Sequence, residues 1–183
     1  GGIAINGSIK YEYNDQLSGL LLSGTDLYAY GSTFGGGNAI YYKNNQPVMF
    51  QLPANTAVAV INGMCISGHD VYACGFLVIG SSALPVYWKN GQLTILTPGN
   101  NSQATGIAVQ GTNIYVSGYQ VTNVDDSGLT KQAVLWKNGV MTELNPPGPD
   151  SYTNGVVVSG NDVYVGGRAG PDSNCTVYWK NGI

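Results

Sequence analysis

Charge is what this chain has least of. Seven Lys and Arg stand against ten Asp and Glu, so charged side chains make up 9% of 183 residues, against roughly 25% in an average soluble protein. Seven cations do not make the basic face a nucleic-acid partner needs, and that class is excluded. There is one His, His69, around which neither a multi-histidine metal site nor a Ser-His-Asp triad can be built. No metal and no cofactor are expected. No run of about 20 apolar residues occurs, which excludes a membrane-spanning helix. Three Cys allow at most one internal disulfide. The chain opens Gly-Gly without a basic or apolar leader, as expected once a targeting segment has been removed. Scarce Lys and Glu beside abundant Ser, Thr, Asn and Gly suit a bacterial secreted protein. The expected location is extracellular or the cell surface.

Apolar residues, by contrast, make up 43% of the chain, which excludes disorder, and Gly supplies 27 residues. Much of the sequence repeats. SGLLLSGTDLYAYG from Ser18, NGMCISGHDVYACG from Asn62, TGIAVQGTNIYVSG from Thr105 and NGVVVSGNDVYVGG from Asn154 share one pattern. A second anchor comes after each: AIYYKNN at 39–45, PVYWKNG at 85–91, AVLWKNG at 133–139 and TVYWKNG at 176–182. The leading Gly recurs at 19, 63, 106 and 155, in steps of 44, 43 and 49. Four copies matching in type, order and phase define four structural units.

Each unit reads as four short strands, A to D. Strand A is the G-x-x-x-x-G run, B the Tyr-x-x-Gly run, C the Tyr-Trp-Lys run, and D the segment after Asn-Gly. Gly-x-[Asp/Asn] and Lys-Asn-Gly are hairpin links. No window carries helical periodicity. Runs such as Ile107-Ala108-Val109 are apolar on both faces, as a sheet between two other sheets requires. Tyr42, Trp88, Trp136 and Trp179 share one repeat position and are assigned to core. Such units predict an all-β β-propeller of four four-stranded antiparallel blades, one domain over residues 1–183. The fourth unit stops after strand C, and residues 8–13 align with strand D. The N-terminal strand 8–13 is therefore expected to complete the blade ending at 182, beside 176–181. A partial ring completed by a second chain is the alternative, so monomer and homodimer are both open.

The Asp-Val-Tyr-x-x-Gly and Tyr-Trp-Lys-Asn-Gly signatures resemble the tandem repeats of secreted bacterial β-propeller proteins, mostly of uncharacterised function, over nearly the whole chain. The resemblance implies a propeller, and such proteins usually carry more repeats. It also extends to four-bladed hemopexin-like domains, which staple first blade to last by a disulfide. Cys65 and Cys74 in one unit and Cys175 in another depart from that pattern.

Most candidate chemistry has a structural explanation. Asp26, Asp70, Asn113 and Asp162 recur in the A–B link and Lys43, Lys89, Lys137 and Lys180 beside the Asn turn, so these are assigned to architecture. Each Asp or Asn is expected to bond its own turn backbone. His69 falls in the same exposed link. Glu12 and Glu143 lie well apart on strand D, with no glycosidase pairing indicated. Gly35-Gly36-Gly37 lacks the Lys-Ser/Thr and helix of a phosphate loop. Residues 123–128 are rich in oxygen ligands but lack the spacing of a calcium loop. Cys65 and Cys74 flank one turn, opposite each other if it centres between His69 and Asp70. Buried free thiols are expected there.

The A–B and C–D links are near-identical between units, whereas the B–C and D–A segments differ, and binding residues concentrate on variable loops of a rigid scaffold. Ser32, Phe76, Tyr119 and Arg168 come just after each strand B Gly. Phe76 and Tyr119 offer rings for stacking and Arg168 an anion partner. Asp125, Asp126, Asp150, Tyr152 and Asp172 lie on the same edge. The expected function is a non-catalytic binding module taking carbohydrate or a protein or peptide. The alternative is a structural or assembly repeat without a ligand of its own. An enzyme is not expected, because strand A carries no ionisable group beyond one thiol and no nucleophile has a base at definable spacing.

Overall fold

Glycine and asparagine fix the turns on which each unit is folded. The computed structural model describes residues 2–5, 8–12, 15–35, 37–97, 101–125, 128–144, 150–170 and 175–183, with the backbone alone described for 2–5, 8–12, 123–125 and 128. In the A–B links the positive φ falls on Gly24, Gly68, Gly111 and Gly160, at 58–61°. The flanking residues pair directly, as Ser67 does with Asp70. Gly at the first central position of a two-residue loop is the II′ arrangement, whose twist matches that of the strands. The Thr, His or Asn after it does not need that freedom. In the C–D turns Asn44, Asn90, Asn138 and Asn181 have φ of 48–54°. The next residue is also at positive φ, as type I′ requires.

Between these turns the chain is all strand, with no helix among the described residues. The first sheet holds β3 (Gln16–Ser23), β4 (Asp26–Ser32), β5 (Ala39–Lys43) and β6 (Gln46–Met49). The second holds β7 (Thr56–Ser67), β8 (Asp70–Ile79), β9 (Ser82–Lys89) and β10 (Gln92–Ile95). The third holds β11 (Gln103–Gln110), β12 (Asn113–Asp125), β13 (Gly128–Lys137) and β14 (Val140–Glu143). The fourth holds three strands, β15 (Asp150–Ser159), β16 (Asp162–Gly170) and β17 (Cys175–Lys180). Among the described residues all pairings are antiparallel between sequence neighbours, and no sheet closes on itself.

One expectation is corrected. Residues 8–13 do not complete the last unit: β2 (Ser8–Glu12) pairs with β1 (Gly2–Ile5) in a separate two-stranded sheet. The fourth sheet keeps three strands, and residue 13 lies outside the described residues. The physical reason is closure entropy. Neighbouring segments close a far shorter loop than segments at opposite ends of the chain. The variable B–C and D–A segments are also less loop-like than their sequences suggest. β8 and β9 run to within two residues of each other, and β12 continues to Asp125 before β13 begins at Gly128.

Two glycines per unit have separate jobs. In every sheet strand A carries a bulge just before its leading Gly, at Leu17/Gly19, Ile61/Gly63, Ala104/Gly106 and Thr153/Gly155. The bulge pushes a carbonyl of strand A against the strand B glycine. A Cβ on Gly31, Gly75, Gly118 or Gly167 would overlap the carbonyl oxygen of Gln16, Val60, Gln103 or Tyr152 respectively. This is why Tyr-x-x must end in Gly. In the second and third units the leading Gly acts between sheets: a Cβ on Gly63 would lie 3.1 Å from the Gly106 Cα, and one on Gly106 2.7 Å from the Gly155 Cα; on Gly19 it would meet Tyr30 of its own sheet.

The sheets pack face to face in chain order around three apolar clusters. Tyr28, Phe50, Met64, Val86 and Trp88 join the first and second sheets. Tyr72, Cys74, Ile107, Val116 and Trp136 join the second and third. Tyr115, Val156, Val165 and Trp179 join the third and fourth. Trp88, Trp136 and Trp179 are buried as expected of core. Tyr42, their counterpart in the first sheet, is half-buried: it packs on Ala29, and its hydroxyl donates to Asp15.

Replacing Gly118 or Gly106 by Ala tests both roles. Each should lower stability by about 3 kcal/mol or more, since backbone rather than a flexible side chain must move. Urea unfolding of each variant against the parent reads the change.

Candidate functional site

The charged residues of the turns form a repeated bracket. Asn44, Asn90, Asn138 and Asn181 each accept, through Oδ1, the backbone N–H of Leu27, Val71, Ile114 or Val163 at 2.8–2.9 Å. Their Nδ2 donates to Asp26, Asp70, Asn113 or Asp162 at 2.7–3.0 Å. Lys43, Lys89 and Lys180 add ion pairs to the three Asp at 2.8, 3.0 and 2.7 Å. All four lysines of the motif also lie over a Tyr ring of strand B at 5.4–5.6 Å. Architecture is thus the role of these residues, with one correction. The Asp carboxylates clamp the C–D turn of the same sheet, where bonds to their own turn backbone are expected from sequence.

Hydrogen bonds from Lys43 to Asp26, from Asn90 to Asp70 and from Lys180 to Asp162 are the leading causes that hold these carboxyls below their ordinary value of 3.8. Hydrogen bonds to Asp26, Asp70 and Asp162 hold Lys43, Lys89 and Lys180 above 10.5.

The variable edge brings together part of the expected set. Tyr119 stands on β12 and Tyr152 on β15, both half-buried. The Lys131 ammonium on β13 lies 4.8 Å from the Tyr119 ring centre and 5.5 Å from that of Tyr152. Asp150 Oδ1 accepts the Lys131 backbone N–H at 2.7 Å, tying β15 to β13. Arg168 is exposed on β16, in register with Tyr152. Burial raises the Tyr119 phenol above its usual 10.0. A groove of about 370 Å³ beside the cluster is lined by Asn101, Gln103, Tyr119, Val121, Leu129 and Lys131, with Ala83 at its wall. Phe76 takes the equivalent place in the second sheet, in register with Val60 and Pro85. Contrary to expectation, Phe76, Tyr119, Asp150, Tyr152 and Arg168 lie on paired strands, because the bulges let the strands continue past the glycines. Asp126 and Asp172 lie outside the described residues, as do the side chains of Asp125 and Glu12.

Lys131 is the functional candidate that repeat alignment misses. Its one signal in the sequence is that, with Lys10, it is one of two lysines outside the Lys-Asn motif. Among the described residues, no three His, Cys, Asp or Glu side chains come together to hold a metal. Glu143 accepts a bond from Gln120 at 2.9 Å, and His69 is exposed in its turn.

The cysteines are free. Cys65 pairs in register with Tyr72 and Cys74 with Gly63, because the turn centres on Gly68 and His69. They are therefore not directly opposite. Burial pushes the Cys65 thiol up to about 11 and the fully buried Cys74 thiol further. Cys175 is exposed.

No protein-family model and no curated protein matches the chain.

The turn brackets and the thiols each make a testable prediction. Carboxyls depressed in the folded state stabilise fully above their unfolded value near 3.8, and the contribution is lost as pH falls through the folded values. Raised lysines stabilise below about 10.5 and lose that contribution as pH rises beyond it. Thermal melts should therefore weaken at both ends, with a smaller acid loss in Asp70→Asn. A thiol reagent at neutral pH should label Cys175 promptly, and Cys65 and Cys74 only after denaturation.

Proposed function

We propose that the chain is a non-catalytic binding module for an anionic carbohydrate, built on propeller-type blades. Four repeats packed as sheets in chain order support the propeller reading. The observation that carries the functional reading is Lys131 held between Tyr119 and Tyr152 beside a groove with two amide side chains. Aromatic rings take the apolar face of a sugar, Asn101 and Gln103 offer donors and acceptors to hydroxyls, and Lys131 with Arg168 meets an acidic substituent. A plain peptide site has less need of that combination. The scaffold supplies rigidity, since every one of these strands is paired on both sides or packed on a neighbouring sheet.

The alternative, an assembly repeat, is favoured by a different observation: the first and last sheets each leave an apolar face uncovered, around Leu22 and around Val157.

A glycan array with acidic and neutral saccharides, run beside a peptide library, tests the binding reading. Acidic saccharides should bind, and Lys131→Ala should weaken that binding at least tenfold, with Lys137→Ala unaffected. Binding only to peptides, or to nothing, would reject it. Hydrolase and lyase assays should stay at background, and turnover lost on Arg168→Ala would overturn the non-catalytic assignment.

A further inference from the structure

The stack of sheets ends twice on surfaces that its own interior shows how to cover. Strand A residues on the face each sheet turns toward its predecessor are buried in the second, third and fourth sheets: Met64 is 8% exposed, Ile107 7% and Val156 8%. In the first sheet the same position holds Leu20 at 52%, with Leu22 beside it at 72%. On the opposite face, Leu21, Cys65 and Ala108 pack against the next sheet in the stack. Their counterpart in the fourth sheet, Val157, is 63% exposed, and Tyr178 on β17 is 72% exposed. Two apolar faces of opposite sense are thus left open, one at each end.

The glycines identify what fits. Gly63 is seated against Gly106, and Gly106 against Gly155 and the Val156 nitrogen. Gly155 continues this series, yet a Cβ there would meet nothing within 4 Å, and the same holds at Gly166 beside it. The open surface around them is a concavity lined by Asn154, Val157, Tyr164, Thr176 and Tyr178. At the second–third and third–fourth interfaces this position is filled by a strand A backbone entering at a glycine, whereas in the first sheet the Tyr30 side chain lies at Gly19. The first sheet carries such a strand, with Gly19 next to Leu20.

Hydrogen bonding extends the match. The residue before the leading Gly reaches the next sheet at these same two interfaces. Asn62 Nδ2 donates to the Ala104 carbonyl at 2.8 Å, and Thr105 Oγ1 lies 2.7 Å from Thr153 Oγ1. Asn154 occupies this position in the fourth sheet and is exposed. Its counterpart acceptor, two residues before Gly19, is the Leu17 carbonyl.

We infer that the fourth sheet of one copy docks head-to-tail on the first sheet of a second copy. Gly155 and Gly166 receive the backbone at Gly19 and Leu20. Val157 and Tyr178 cover Leu20 and Leu22, and Asn154 donates to Leu17. The contact is heterologous, joining different faces of the two copies. It stands independently of the carbohydrate reading, whose residues lie at the variable edge.

Sedimentation equilibrium across a concentration series tests this. The chain should pass from 19.2 kDa to about 38 kDa or to longer open chains as concentration rises. Gly155→Ala places its methyl in open space in the single copy, so thermal stability at low concentration should hold. Association should nevertheless weaken at least tenfold. Leu22→Asp and Val157→Asp should each abolish self-association, whereas their equimolar mixture should form a one-to-one dimer through the one intact pair of faces. A strictly monomeric parent would overturn the inference. So would self-association that survives either Asp substitution, because that is the behaviour of a contact between identical faces.

Discussion

The close approach of neighbouring A strands governs this molecule. At Gly63, Gly106 and Gly155 the strands come so close that a methyl group on either of the first two would press on the next sheet's backbone. Strands B and C fill the interfaces with Tyr, Trp and branched aliphatic side chains. Small residues on strand A and large side chains on strands B and C thus divide each of these interfaces between close backbone approach and side-chain packing. The composition thus has a mechanical reading: glycine where strand backbones approach closely, aromatics where side chains fill the interface.

Much of this is legible in the residues alone. The four repeats, the hairpin turns, the absence of helix and the buried Trp positions all rest on residues that recur in phase, and recurrence separates architecture from accident. Recurrence also marks the turn charges as architecture, but it does not name their partners. An Asp in one turn and a Lys-Asn pair in another, about 17 to 20 residues apart in sequence, meet only because strands B and C are in register. Register is a three-dimensional fact that repeat alignment leaves unspecified.

The N-terminal segment shows the limit from the other side. Residues 8–13 resemble strand D in composition, and the fourth unit ends without one, so pairing between them satisfies a pattern. Pattern matching carries no term for chain entropy, which favours a neighbour in sequence over a partner at the far end. The candidate site is legible to a similar extent. Tyr119 and Tyr152 stand out because their columns vary, but the side chain joining them, Lys131, lies in a segment with no repeat equivalent against which to judge it.

Variation along this chain falls on paired strands as much as on loops, and that changes what the variable edge can do. A side chain on a mobile loop must lose conformational freedom on meeting a ligand, whereas Tyr119, Lys131 and Tyr152 stand on strands already fixed by ladder hydrogen bonds. Asp150 adds a cross-link by accepting the Lys131 backbone N–H, which holds β15 and β13 at a set separation. Part of the ordering cost is therefore met in folding. The glycines that admit the bulges are what allow strands A and B to run on beyond the uniform part of each unit. The recurring geometry within the repeat is in this sense the cause of the rigid, individual edge beyond it: the bulge permits the extension, and the extension carries the residues by which one unit differs from the next.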